Sequence, residues 1–296
     1  MRKTAVVTAG TGGIGLETAL GLAAAGFSVT VVGRDRDRGA RAVERIGAVD
    51  PSCPARFLRA DLASLDEVRA LAARLADNPL TVLVNNVGAM FPRRTELDGV
   101  EASFVVNHLS PYLLTELLLP ALTAGAPSRI VNVTSAAVGV GGRVFDAAEP
   151  PGGYYGFHWY GRAKLAHLAH TLDLARRLDG TGVSVFAADP GGAATEMTDG
   201  TLADPAIVSP ALRLLWPLVR RRFERSTSGP ASVAARPSIT AATDPALDGR
   251  TGVLIGADTK PRAPLRAAAD PRVAAAVRRL GEQYAPLPAP ADGSSD

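Results

Sequence analysis

The sequence predicts an α/β fold, a doubly wound parallel β-sheet of about seven strands with helices on both faces. Short β-branched runs alternate with Ala- and Leu-rich stretches, which is typical of strands joined by helical crossovers. The runs TVLVNN and RIVNV are apolar at nearly every position, which favours strands buried on both faces. A glycine-rich turn, TAGTGGIG, joins the first strand to the first helix.

Each strand is predicted from one apolar run, in the order 4–10, 28–34, 55–61, 80–88, 129–135, 183–192 and 251–256. Helices are predicted over 14–26, 36–46 and 64–77, the first ending at Gly26 and the third opening with Ser64 and Glu67 at capping-box spacing. We interpret 1–285 as a single domain. The Pro-, Gly- and Ser-rich end, 286–296, is predicted to be disordered.

Composition excludes several classes of protein. Acids nearly balance bases at a net charge of +3, and the basic run Arg220–Arg222 is too short to predict a nucleic-acid partner. The single cysteine, Cys53, excludes an intrachain disulfide and fits a reducing compartment. The apolar stretch 104–122 carries Asn, His, Glu and two prolines, so it makes a poor membrane span. We expect a soluble, cytoplasmic protein.

The first turn suits a pyrophosphate group. Glycines bring the backbone close to a ligand, and the N-terminus of the following helix offers free N–H groups with partial positive charge. The predicted contacts are Gly10, Thr11, Gly13, Ile14 and Gly15. Ala9 stands where the usual pattern has glycine, and a positive φ there would cost roughly 1 kcal/mol, too little to abolish the site.

The end of the second strand predicts NADP rather than NAD. A site for the NAD ribose needs a carboxylate there, yet the sequence has Gly33 followed by Arg34. Arg34 can pair with a 2′-phosphate through two charge-assisted hydrogen bonds. Arg38 is either a second phosphate contact or a solvated helix residue. Asp35 and Asp37 are expected to face solvent or to cap the helix.

Tyr160 and Lys164, in YGRAK, are four residues apart and therefore share a helix face. A nearby ammonium would lower the pKa of the phenol and prepare it for proton transfer. The strand ends at Asn85–Gly88, at Ser135 and at Asp189–Gly191 should meet the glycine turn on one rim of the sheet. No Cys or Glu motif accompanies His167 and His170, so a metal site is not expected.

The motifs follow one another along the chain in this order: TAGTGGIG, GRD, ADL, NNVG, VVNHLSPYLLT, VNVTS, YGRAK and DPGGAAT. In that order they resemble the classical short-chain dehydrogenase/reductase (SDR) family over roughly residues 4–256. The resemblance is strongest to the branch of retinol dehydrogenases and their bacterial relatives. It implies a Rossmann-type fold and an NADP(H)-dependent oxidoreductase that interconverts a carbonyl and an alcohol. It also implies a homodimer or homotetramer.

The resemblance assigns roles to particular residues. Tyr160 would be the general acid or base, Lys164 would lower its pKa and hold the nicotinamide ribose, and Ser135 (less plausibly Thr134) would polarise the carbonyl. Asn107 would fix a water that relays protons to Lys164. The other implied cofactor contacts are Asp61, Leu62, Asn85, Gly88, Pro190, Gly191 and Thr195. Ala9 and Val87 depart from the family pattern.

The substrate is expected to be small to medium in size and apolar. By the same resemblance, a segment of about 195–230 would cover it. Leu212, Leu215, Trp216, Val219 and Phe223 fall there at helical spacing, which fits a lid, a membrane patch, an ordinary packed helix or a dimer interface. Tyr154, Tyr155, Phe157 and Trp159 are predicted to form an aromatic wall, which His158 could join. Reduction of an imine or enone, a non-redox isomerisation, and an inactive NADP-binding sensor remain alternatives.

Overall fold

The computed structural model describes residues 3–142, 144–149, 152–191, 207–213 and 229–288. Its main sheet has eight strands in the order β10-β9-β8-β7-β4-β1-β2-β3. The strands are β1 (Thr4–Val7), β2 (Ser28–Gly33), β3 (Ala55–Arg59), β4 (Val82–Asn85), β7 (Ser128–Val133), β8 (Val183–Ala188), β9 (Val253–Ile255) and β10 (Pro261–Arg262). β5 (Glu96–Leu97) and β6 (Val100–Glu101) form a separate hairpin.

The parallel α/β fold is confirmed, with one more strand than the seven predicted. Seven strands are parallel, and Val7 of β1 pairs with Val31 on one side and with Val84 on the other. The additional strand, β10, is antiparallel to β9 and only two residues long. Pro261 and Arg262 carry no apolar run that would predict a strand.

Helices cover both faces of the sheet. They are α1 (Gly13–Ala24), α2 (Arg36–Gly47), α3 (Leu65–Leu75), α4 (Ala102–Phe104), α5 (Ser110–Ala124), α6 (Gly156–Arg177), α7 (Pro210–Arg213), α8 (Ala231–Ala234), α9 (Arg236–Thr243) and α10 (Pro271–Tyr284). Residues of α1, α2 and α9 share one apolar cluster, and those of α3, α5, α6 and α10 share the other. None of the helices in the described ranges is long and apolar enough to cross a membrane.

Local sequence explains where these helices begin. Ser64 accepts a hydrogen bond from the N–H of Glu67 at the start of α3, as the capping-box spacing predicts. Asp35 caps α2 in the same way. Between α4 and α5 the helix widens into a π-turn, Val105–Leu109, with Asn107 at its centre. Turns of this kind often occur at functional sites.

Candidate functional site

A cavity of about 720 Å³ opens at the carboxyl ends of the parallel strands. It lies where the chain leaves β1 in the middle of the sheet, between β2 and β4, which is the usual ligand-binding position in such sheets. Residues that follow six strands line it, among them Thr11, Arg34, Asp61, Gly88, Ser135 and Gly191, and α6 adds Tyr160 and Lys164. The rim predicted from the strand ends is therefore one continuous cavity.

The glycine turn forms one end of this cavity. Ala9 has a φ of +50°, so the only alanine in the turn occupies the left-handed region in which glycine is favoured. A side chain at Gly15 would lie 2.3 Å from the carbonyl oxygen of Ala9, and one at Gly10 would lie 2.8 Å from that of Val7. Gly10 shapes the turn without lining the cavity, whereas Thr11, Gly13, Ile14 and Gly15 do line it.

The N-terminus of α1 points into the turn. Its cap residue, Gly12, provides no side-chain hydrogen bond, and its first turn contains no acidic residue. The N–H groups at this end therefore remain available to an anion, and the local field attracts negative charge.

Two arginines stand beside this end of the cavity. Arg34 and Arg38 both line it, and a side chain at Gly12 would lie 2.6 Å from the guanidinium of Arg38. Asp35 accepts a hydrogen bond of 2.9 Å from the N–H of Arg38, and this bond holds the pKa of the carboxyl below its usual value. Asp35 thus caps α2, which is one of the two roles predicted for it. Gly33 leaves this position without a carboxylate.

Asp61 and Leu62 line the wall next to these arginines. The carboxylate of Asp61 accepts from the N–H of Ala63 at 3.0 Å, which orders the turn into α3.

Asn85 differs from its predicted position. It is buried, its side chain donates to Thr115 and to Asn132 at 2.8 Å each, and Asn86 lines the cavity instead. The reason is that successive side chains at a strand end point to opposite faces, so the next residue is the one that reaches the rim. The amide of Asn86 donates in turn to the carbonyl of Thr8 at 3.1 Å.

Ser135, Tyr160 and Lys164 meet at the other end of the cavity. Burial raises the pKa of the Tyr160 phenol to about 12; the neighbouring Ser135 lowers it in part, and Asp189 adds a smaller upward contribution. The ammonium of Lys164 donates to the carbonyls of Val133 at 3.0 Å and Val87 at 3.3 Å. Burial lowers the pKa of Lys164 to about 8. The expected lowering of the Tyr160 pKa by Lys164 is thus not observed, because desolvation dominates.

Asn107 lies next to this group. Its side-chain oxygen accepts from the N–H of Ala89 at 3.1 Å, and its side-chain nitrogen donates to the carbonyls of Ala89 and Ser103 at 2.8 Å each. A side chain at Gly88 would lie 3.4 Å from Asn107 Oδ1 and 3.5 Å from Lys164 Nζ. The π-turn therefore brings Asn107 close to Lys164 and fixes the segment that follows β4.

The end of β8 completes the rim. Pro190 and Gly191 line the cavity, and Gly191 has a φ of +70°. Asp189 accepts from the N–H of Gly191 at 3.0 Å, and burial raises the pKa of its carboxyl. Thr195, the last predicted contact, lies outside the described residues.

The apolar part of the cavity wall differs from the predicted one. Met90, Phe91, Leu97, Val106 and Phe157 line the cavity, and Met90 and Phe157 pack with Tyr160. Of the predicted aromatic wall, Phe157 alone lines the cavity. Tyr154 packs on Trp159 at 5.0 Å and donates to the carbonyl of Phe91 at 2.6 Å, so it supports this wall. Met90 and Phe91 follow β4 in a loop without a motif, so sequence patterns did not reveal them.

One described piece of the predicted covering segment packs on this wall. Ile207 and Val208 are fully buried and, together with Leu212, contact the cluster that contains Ala137, Phe157 and Tyr160. Leu215, Trp216, Val219 and Phe223 lie outside the described residues. Within the described ranges, His, Cys, Asp and Glu form no group of three that could hold a metal ion.

Comparisons with known proteins agree with this geometry. Residues 3–206 match the family described as short chain dehydrogenase. Retinol dehydrogenase 12 of Mus musculus is 37% identical over 77% of the chain and 70% of its own length. Retinol dehydrogenase 13 of Homo sapiens is 40% identical over 66% of the chain and 60% of its own length. The chain thus spans between 60% and 70% of the length of these relatives.

Solved structures share the fold. The Pseudomonas aeruginosa RhlG/NADP active-site complex superposes with a TM-score of 0.66 at 27% identity, covering 86% of the chain and 94% of that protein.

Proposed function

The chain belongs to the short-chain dehydrogenase/reductase family, in its retinol-dehydrogenase-like branch, whose members are NAD(P)-dependent oxidoreductases; from this premise we propose that it uses NADP(H) to interconvert an apolar carbonyl compound and its alcohol. Tyr160 is the proposed general acid in reduction and the general base in oxidation. Ser135, Lys164 and Asn107 complete the proposed catalytic group.

One observation carries the proposal: Ser135, Tyr160 and Lys164 line a single cavity together with the glycine turn. A phenol whose pKa is near 12 is protonated at neutral pH. It therefore carries the proton that an oxygen developing negative charge would take up.

The residues fit a dinucleotide. A side chain at Gly15 would lie 2.3 Å from the backbone oxygen of Ala9, so the turn leaves no room for a side chain there, and the N-terminus of α1 faces the same space. Thr11, Gly13 and Ile14 would hold the pyrophosphate, Asp61 and Leu62 the adenine, and Lys164, Pro190 and Gly191 the nicotinamide end. The reduced nicotinamide, when bound, supplies the hydride for the carbonyl carbon.

The chain's own groups handle the oxygen and the proton. The Ser135 hydroxyl would donate a hydrogen bond to the carbonyl oxygen and polarise it. The Tyr160 hydroxyl would then transfer its proton to that oxygen as negative charge develops there. The Lys164 ammonium would favour the phenolate once it forms, and its pKa near 8 would allow it to exchange a proton at neutral pH. Asn107 would hold the backbone around Ala89 and, through a water, the proton supply to Lys164.

NADP is favoured over NAD by the arginines beside the turn. Arg34 and Arg38 line the cavity at the end of β2, where Gly33 provides no carboxylate. Two guanidinium groups there would bind a 2′-phosphate through charge-assisted hydrogen bonds. The RhlG/NADP complex, with the same fold, supports this choice.

An apolar substrate is favoured by the apolar lining of the cavity: Met90 and Phe157 pack with Tyr160, and Phe91, Leu97 and Val106 also line the cavity. Burying an apolar molecule against these side chains provides binding energy roughly in proportion to the area removed from water. The names of the retinol dehydrogenases agree with a substrate of this kind.

A panel of carbonyl compounds tests the proposal. The purified protein with NADPH would be offered decanal, retinal, glyceraldehyde, the imine 2-methyl-1-pyrroline and the enone cyclohexenone, and NADPH oxidation would be followed at 340 nm. We expect kcat/KM for decanal or retinal to exceed that for glyceraldehyde by at least about a hundredfold. Preference for glyceraldehyde would overturn the apolar assignment, and turnover of the imine or enone alone would favour the alternative reactions. NADPH binding without any turnover would favour a sensor.

A further inference from the structure

His158 lies two residues before Tyr160 on α6, but its ring does not line the cavity. Its Nδ1 is 3.2 Å from the carbonyl oxygen of Val140, and its Nε2 is 3.3 Å from the backbone nitrogen of Ser209. The ring thus connects two segments that are distant in sequence: the loop that follows Ser135 and the described piece of the covering segment.

The two partners fix the protonation of the ring. A carbonyl oxygen only accepts, so Nδ1 must carry the proton; a backbone N–H only donates, so Nε2 must accept. The neutral Nδ1–H tautomer satisfies both contacts at once. Histidine supplies a donor and an acceptor at this spacing from one rigid ring.

The segment around Ser209 has further contacts of its own. Ile207 and Val208 are fully buried against the cluster of Phe157 and Tyr160, and Leu212 packs on it. The Arg213 side chain donates to the carbonyl of Val208 at 3.1 Å. We call this segment, Ile207–Arg213, the cover: it packs on Phe157 and Tyr160, which line the cavity, and the ring of His158 links it to α6 through a polar contact.

We infer that His158 is a positioning residue that clips the cover Ile207–Arg213 to α6 and thereby shapes the apolar end of the substrate cavity. This inference rests on the proposed function for its consequence in catalysis but not for the clip itself. Because His158 acts through the cover, its loss should weaken binding of an apolar substrate without altering the Ser135–Tyr160–Lys164 group.

Two variants separate the two hydrogen bonds. The carbonyl oxygen of His158→Gln reaches about as far as Nε2 and can accept from Ser209, whereas the amide of His158→Asn reaches about as far as Nδ1 and retains only the Val140 contact. His158→Ala removes both. The clip therefore predicts that Gln rescues and that Asn behaves like Ala.

The first readout is independent of activity: exchange of the Ser209 amide hydrogen, followed by NMR on the full ¹⁵N-labelled chain. We expect exchange about tenfold faster in His158→Ala and His158→Asn, and close to wild type in His158→Gln. Equal exchange rates in all four proteins would overturn the clip, even if carbonyl reduction itself fails.

The second readout is steady-state kinetics with decanal and NADPH. The KM for decanal should rise about tenfold in the Ala and Asn variants, with kcat within about twofold and the KM for NADPH unchanged. An equal fall in kcat with every substrate would instead make His158 part of the catalytic group and would overturn the inference. Failure of the wild-type protein to reduce any carbonyl would reject the proposed function and leave the amide exchange to decide on the clip.

Discussion

Both halves of α6 carry buried ionisable side chains, but the surroundings of the two sets differ. The first half carries Tyr160 and Lys164 to the wall of the cavity. The second half carries His167 and His170 into the core, where their rings lie 6.5 Å apart and where His170 lies 5.1 Å from Tyr112 of α5. His108, from the π-turn, lies within 6.5 Å of both rings.

Desolvation shifts the pKa values of the buried side chains in both halves of α6. It raises the pKa of Tyr160 to about 12 and lowers that of Lys164 to about 8, and it also lowers the pKa of His170 to about 4. The pKa values of His108 and His167 fall well below the usual histidine value for the same reason. A shifted pKa therefore marks burial, and only access to the cavity separates a reactive group from a packed one.

The largest effect is expected from a substitution in the first half of α6. Tyr160→Phe retains the ring and its packing but removes the proton, so kcat should fall about a thousandfold, while the Kd for NADPH changes less than about threefold. Single-turnover kinetics and a NADPH titration on the same preparation measure both. A variant that retained most of its kcat would assign proton transfer to another group.

The buried histidine His170 in the second half of α6 should affect the stability of the protein in acid rather than its activity. The pKa of His170 is near 4 in the folded protein against 6.5 for an unperturbed histidine, so the unfolded chain binds a proton that the folded chain rejects. Stability is then lost as the pH falls from about 6.5 towards 4, by roughly 3 kcal/mol for this residue.

His170→Leu removes this penalty. Urea unfolding at several pH values should show a weaker loss of stability in acid than the wild type, and kcat at pH 7.5 should be unchanged. A variant with the wild-type acid dependence, or one that lost activity, would contradict the division between the two halves of α6.

Substitution of Arg34 should have a smaller effect, confined to cofactor binding. Arg34→Ser should raise the Kd for NADPH by roughly thirtyfold, since a charge-assisted phosphate contact is worth about 2 kcal/mol, and should leave the Kd for NADH almost unchanged. Isothermal titration with each cofactor separates the two. Equal weakening of both would mean that Arg34 supports the fold of the turn rather than the phosphate.

Ala9 gives the smallest effect. Because its φ is +50°, Ala9→Gly should stabilise the fold by up to about 1 kcal/mol, with the Kd for NADPH within about twofold. Ala40→Gly is a suitable control, since Ala40 is exposed within α2 and its replacement should destabilise by about 1 kcal/mol. Thermal unfolding of both variants gives the sign of each change in stability. Destabilisation by Ala9→Gly would show that the turn imposes no strain on alanine.

Sequence predicted the backbone of the site better than its side-chain environment. The alternation of runs located the parallel strands, and the turn around Ala9 and Gly13 lies at the rim as expected. Side-chain direction at a strand end changes with every residue, which is why Asn86 replaced Asn85. Desolvation depends on the whole packed structure, so the raised pKa of Tyr160 could not be predicted from YGRAK.

Some predictions remain open. The single-domain boundary at 285, the cytoplasmic location and the homo-oligomeric state are still predictions from the sequence. The predicted disorder of 286–296 concerns mostly residues 289–296, which lie outside the described part of the chain.

The most direct test of the site is a pair of titrations, NADPH and NADH against the wild-type protein, followed by tryptophan fluorescence. Binding of NADPH at least about tenfold tighter is predicted, because Arg34 and Arg38 stand where an NAD site would carry a carboxylate. Tighter binding of NADH would contradict the cofactor assignment. Binding of neither would contradict the account of the whole cavity, since the turn at Ala9 would then not accept a dinucleotide.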